Sequence, residues 1–217
     1  MSYPTRPDAK ILRTVPRLLA PVLLVALMWG LASARAGGPT EQLKTSVEQI
    51  IKILEDPVLR TDDRIKDRRA AIRKEAETAF DFGETARRAL GRHWQGLSDK
   101  DRQEFTALFT DLIERAYISK IEQYSGEKIA FAGEAVDGKL ATVRTRFVSK
   151  QGTEIPMDYR MQQRGERWLV YDVAVEGVSL INNYRSQFDK IIQTSSYGEL
   201  VRRLKAAEGA TPASPRL

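Results

Sequence analysis

Cysteine is missing from all 217 residues, and histidine occurs once. Without cysteine, no disulfide can hold the fold together in an oxidising compartment, so the core must do it alone. Attachment of lipid through an N-terminal cysteine is excluded as well. One histidine and no thiolate leave nothing from which to build an ordinary zinc site. His93 lies beside Trp94 among basic residues, where a lone histidine reads as a packed or surface group rather than a catalyst. No glycine loop suited to cradling phosphate is present. Acids do not cluster beyond Asp62-Asp63 and Asp99/Asp101, which suit first-turn positions of helices. Gly177-Val178-Ser179 starts like a nucleophile elbow but lacks the second glycine and follows an alternating strand. No catalytic residue, metal or cofactor is expected.

The N-terminus is the first positive feature. Arg6, Lys10, Arg13 and Arg17 precede an uncharged apolar stretch from Leu18 to Leu31. Ala32-Ser33-Ala34 and Ala34-Arg35-Ala36 then offer two small-residue cleavage sites. This pattern is a secretory signal peptide over residues 1–36, cut after Ala34 or Ala36. The uncharged run to Ala34 is shorter than the ~20 residues of a spanning helix. The n-region has no Arg-Arg pair, which favours the general secretory route. The whole chain carries a net charge of +6. The leader holds five of the 35 basic and one of the 29 acidic residues, so the remainder carries only +2. A nucleic-acid partner is therefore not expected.

Beyond the leader, residues 37–208 read as one domain and 209–217 as a disordered tail. Residues 37–40 read as a linker. Leu43, Val47, Ile50, Ile51 and Leu54 recur at helical spacing, up to Asp56-Pro57. A basic helix with Arg64, Lys66, Arg68, Arg69, Arg73 and Lys74 follows, its charges read as a solvated face. Asp81 with Glu84, and Ser98 with Asp101, are capping signals for two further helices. The second is long and apolar, carrying Phe105, Leu108, Phe109, Leu112, Ile113 and Tyr117.

The period then changes to two. Alternating runs around Ile129–Phe131, Ala141–Phe147, Ile155–Met161 and Trp168–Val175 are separated by glycine-containing turns. Gly177 is expected to end the sheet, with helix returning from Asn183 and again after Ser196. The expected fold class is α+β: a four-stranded antiparallel meander with helices packed on it and an apolar pocket between. Periodicity alone leaves open whether that space is a filled core or a ligand slot.

Several segments together carry a resemblance. They are Phe80-Asp81-Phe82, Ala89-Leu90-Gly91 with Trp94, and Leu97-Ser98 with Phe105 and Phe109. Ile155-Pro156-Met157-Asp158-Tyr159-Arg160, Trp168–Val173, Glu176–Leu180 and Asn183-Tyr184-Arg185 with Phe188 complete the series. In order and spacing the chain resembles the MlaC-type toluene-tolerance family of periplasmic phospholipid-binding proteins, over roughly residues 41–205.

The resemblance implies a periplasmic shuttle with a phospholipid ligand. Its partners would be an inner-membrane ABC transport complex and an outer-membrane lipoprotein–porin complex, and its role the maintenance of outer-membrane lipid asymmetry. Candidate lipid-binding residues are Phe105, Phe109, Leu112, Tyr117, Val143, Phe147, Met157, Tyr159, Met161, Val173 and Val175, apolar positions on the faces assigned inward. Asp172, Glu176 and Arg185 are read as structural or pocket-mouth residues. Two alternatives stand beside this: a carrier of another apolar lipid such as a hopanoid, and a pocket enzyme using Asp158 or Asp172.

Overall fold

The computed structural model describes residues 37–207, so the expected leader at 1–36 and the expected tail at 209–217 lie outside the described residues. The first helix, α1 (Pro39–Glu55), begins inside the expected linker. Pro39 presets φ at the first helical position, where its missing N–H costs nothing. Asp56 stops the helix in an extended conformation ahead of Pro57. A short 3-10 turn, Asp62–Arg64, leads into α2 (Ile65–Ala79). Asp81 accepts from the Glu84 amide and caps α3 (Phe82–Leu90), and Ser98 does the same through Asp101 for α4 (Asp99–Glu122).

The sheet contains β1 (Lys128–Asp137), β2 (Leu140–Val148), β3 (Glu154–Arg164), β4 (Arg167–Val175) and β5 (Val178–Ser179). Every neighbouring pair is antiparallel, in chain order. The expected count of four strands is thus one short, and Gly177 does not end the sheet. Glu176 and Gly177 both have positive φ, 50° and 82°. That is the primed geometry of a two-residue hairpin, whose twist matches the strands and returns Val178 beside Val175. The new strand is too short to show any alternation in sequence. Ser179 then caps α5 (Leu180–Thr194) by accepting from Asn182, three residues earlier than expected. Ser196 caps α6 (Tyr197–Ala206).

Apolar residues gather into three clusters. A helical cluster joins α3, α4, α5 and α6 through Leu90, Phe105, Phe109, Tyr184, Phe188 and Leu200. A sheet cluster joins Val143, Met161, Val170 and Val173 to Leu43 of α1. A small third cluster, Leu54, Ile72 and Ile118, holds α1, α2 and α4 together. The basic helix α2 buries only Ile72 and is secured by charge instead. Arg68 and Arg69 both bind Glu122 of α4, and Arg73 binds Glu114 at 2.7 Å. Arg73 stays exposed, as a solvated basic face requires, while Arg68 is drawn inward, and all three arginines hold acids more than forty residues away in sequence.

Candidate functional site

The inner face of the sheet is set by strand register. Ala141 stands opposite Met161, Val143 opposite Tyr159, Thr145 opposite Met157, and Phe147 opposite Ile155. On the other side, Tyr159 pairs with Val173 and Met157 with Val175. Tyr171 is an extra residue in β4, because Arg160 pairs with Asp172 and Met161 with Val170. The bulge puts Val170 on the inner face with Met161. It leaves Tyr171 buried against α3, with the Arg88 guanidinium 3.8 Å from its ring centroid.

Cover over this face is uneven. At the Met161–Val170 end, Leu43 and Val47 of α1 close it, and Met161 is 1% exposed. Towards the other end, Tyr159, Met157, Val175 and Phe147 are only half-buried. Phe147, Ile155 and, across on α4, Tyr117 stand outside all three clusters. Tyr159 is deep in the protein, where burial pushes its hydroxyl up to about 12.

The candidate residues divide along this line. Phe105, Phe109 and Leu112 are buried in the helical cluster. Phe109 packs its ring against Phe105, Tyr184 and Phe188 at 5.1–5.7 Å, together with the Tyr184–Phe188 and Phe105–Phe188 pairs. Val143, Met157, Tyr159, Met161, Val173 and Val175 gather in the sheet cluster. Tyr117 and Phe147 belong to neither cluster. Leu43 and Val47 of α1 also close the face. Their helical stripe was visible in the sequence, but which element it covers was not.

Polar groups beside this face are tied down. Asp172, 4% exposed, accepts from the Ser179 hydroxyl at 2.6 Å, the Ile181 amide at 3.1 Å and Arg160 at 2.9 Å. It thereby joins β3, β4 and β5 to the first turn of α5. Of the two readings held for it, it takes the structural one. Glu176 forms the hairpin turn. Arg185 lies over Gly91, where an added Cβ would sit 2.7 Å from the arginine Nε. Gly91 also has φ +54°, so both its backbone and its neighbour require glycine. Ser179 is committed to Asp172 and to capping α5, and His93 Nε2 lies 2.7 Å from Asp189.

Two surface clefts lie to the sides. One, of about 250 Å³, opens between α1, α2 and the β3–β4 pair and reaches Leu43, Met161 and Val170. The other, of about 550 Å³, is bordered by Arg87, Trp94, Arg102 and Arg164. Its acids are already neutralised. Burial alone would raise the Glu84 carboxyl, but bonds from Arg87 and Arg88 hold it below its usual value. Asp81 behaves likewise: burial opposes ionisation, and the Glu84 amide, Gln162 and Arg164 outweigh it. Among the described residues, no helix is long and apolar enough to cross a membrane, and no group of three possible metal ligands occurs.

The fold and sequence have known counterparts. The chain is 24% identical over 123 residues to the intermembrane phospholipid transport system binding protein MlaC of Haemophilus influenzae, covering 54% of this chain and 58% of that protein. It is 27% identical over 92 residues to the toluene tolerance protein ttg2D of Pseudomonas putida, covering 42% and 43%. The chain thus spans about half the length of the curated relatives it matches. A phospholipid-binding protein from Ralstonia solanacearum, solved in complex with a phospholipid, shares the fold with a TM-score of 0.70. That likeness carries 24% identity over 80% of this chain and 98% of the other. The family model described as MlaC protein matches residues 44–206, three quarters of the sequence, and the chain belongs to that family.

Proposed function

We propose that this protein is a periplasmic carrier that takes up phospholipid between its sheet and helices. Residues 37–208 would form the carrier, delivered by the leader at 1–36 and followed by a short tail at 209–217. It would move lipid between an inner-membrane ABC transport complex and an outer-membrane lipoprotein–porin complex, and so maintain outer-membrane lipid asymmetry. The observation that carries the reading is the half-covered inner face of the sheet. Its large apolar side chains, from Tyr159 and Met157 to Phe147, are neither solvated freely nor packed into a closed core. Family membership and the printed functions of the relatives support the cargo.

The energetics suit carriage without chemistry. Two acyl chains hold about thirty methylenes, at ~0.8 kcal/mol each, so a lone lipid in water faces a penalty of ~25 kcal/mol. An apolar slot removes that penalty. Flexible Met157 suits variable chain shapes, and a loosely covered face can deform to release its cargo.

Met157→Trp is the informative variant. Val143 is fully buried, so a tryptophan there would overpack the sheet cluster and disturb the fold. Met157 is half-buried, so a larger ring can extend over the less covered part of the sheet face. Native mass spectrometry should find lipid retained by the wild-type chain and lost from the folded Met157→Trp variant. Lipid retained by that variant would overturn the slot assignment, and a lipid-free wild-type protein would overturn carriage itself. Identifying the extracted lipid separates phospholipid from a hopanoid-type cargo.

A further inference from the structure

Tyr117 extends the Phe109–Ile113 stripe of α4 by one more turn, beyond the end of the helical cluster. Its two chain neighbours are buried, Ala116 at 3% and Ile118 at 7% exposure. Its ring has the Lys120 ammonium 5.7 Å away on one side. Its hydroxyl, however, is shut off from solvent and meets no hydrogen-bonding partner among the described residues. It is the one buried side-chain polar atom among the described residues for which this holds.

Burial raises the pKa of Tyr117, so the group is a neutral phenol at physiological pH and a competent donor. Tyr184 on α5 is close by. Burial first, and then the proximity of Tyr117, drive its hydroxyl upward too. The Tyr184 hydroxyl also makes no hydrogen bond within the described residues. Two phenol donors thus lie near each other on α4 and α5, with no acceptor among the described residues.

Buried hydroxyls are almost always satisfied, because leaving one unpaired forfeits its hydration. Phenylalanine at 117 would fill nearly the same volume without that loss. The missing partner must accept, must be able to enter an apolar space, and must stop at one depth. An acyl ester carbonyl meets all three conditions, whereas the acyl chain beyond it carries no polar atom.

We propose that the Tyr117 hydroxyl, with Tyr184 beside it, donates a hydrogen bond to an acyl ester carbonyl of the bound lipid. The inference rests on the carrier reading and extends it to the chemical linkage of the cargo. Apolar contact alone would let the lipid slide along the slot, and the hydrogen bond fixes how far it enters. The protein should then prefer ester-linked to ether-linked lipids of identical headgroup and chain length.

The test uses the protein without its leader and vesicles of diester phosphatidylcholine or its diether analogue. Wild-type protein should take up the diester lipid about three- to tenfold more tightly, as expected for one neutral hydrogen bond. Tyr117→Phe should bring the diester affinity down to the diether level and leave the diether affinity unchanged. Equal binding of both lipids by the wild-type chain would overturn the proposal, with water as the partner of Tyr117. So would a preference that survives in Tyr117→Phe. Binding of neither lipid by the wild-type chain would instead sink the carrier reading, and this inference with it. The wild-type comparison needs no variant, so a folding defect in Tyr117→Phe could not obscure it.

Discussion

The helical cluster and the inner face of the sheet contain similar side chains in opposite conditions. In the first, Phe105, Phe109, Tyr184 and Phe188 meet ring to ring, and each is 5% exposed or less. In the second, only the Met161–Val143 end is closed, while Met157, Tyr159 and Phe147 stay half-covered. A close-packed group has little room to move, because each lost contact leaves a cavity. A half-covered face can change its contents at low cost. On the carrier proposal, the first region holds the fold and the second holds the cargo.

Truncation should divide the two regions most sharply. Phe109→Ala is expected to lose about 3–5 kcal/mol of stability in urea unfolding. Met157→Ala, at a half-buried site, should lose less than about 1.5 kcal/mol on the same scale. Equal losses would mean that the sheet face is as tightly built as the helical core, and the comparison would fail.

A second prediction concerns the joint between them. Asp172 is the carboxylate that ties the strands to the start of α5. Asp172→Ala would strand the Ser179 hydroxyl, the Ile181 amide and the Arg160 guanidinium, at a cost of about 3 kcal/mol. Hydrogen exchange should show the protection of α5 reduced near Ile181 before that of α4. Uniform loss of protection would indicate one undivided core.

The smallest effect is expected at Glu122, outside both regions. Bonds from Arg69 and Arg68 hold its carboxyl below the usual value against the opposing effect of burial. A lowered folded-state pKa contributes stability that is present at neutral pH and is lost as the pH falls below about 4. Glu122→Gln should therefore cost about 1–2 kcal/mol at pH 7 and flatten the decline of Tm below pH 4. An unchanged acid limb would show that the α2–α4 ion pairs do not couple to folding.

Most of the architecture was legible locally. Capping residues Asp81, Ser98 and Ser196 marked three helices, since an N-cap and its partner amide are three residues apart in any context. Alternation in β2 and β3 identified the inner set because the period of a strand is two. Locality also explains the misses. The hairpin at Glu176-Gly177 and the strand after it involve four residues, too few for periodicity to register. The Tyr171 bulge moves β4 by one position without any residue that announces it. The pairing of Arg68, Arg69 and Arg73 was hidden because their acidic partners belong to another helix.

The candidate list was least informative where distance mattered most. Phe109 and Met157 are both large, apolar and correctly patterned, and sequence gives no means of telling a packed ring from a slot wall. The chain by itself determined the elements, the inner set of β2 and β3, and the resemblance to a family, because each depends on spacing along the polymer. Only the tertiary structure decided that Phe109 is closed in by three other rings while Met157 stays half-covered. It alone decided that the Tyr117 hydroxyl is buried without a partner among the described residues. Those outcomes depend on how helices and sheet approach each other, which is the sum of many weak contacts between residues far apart in the chain.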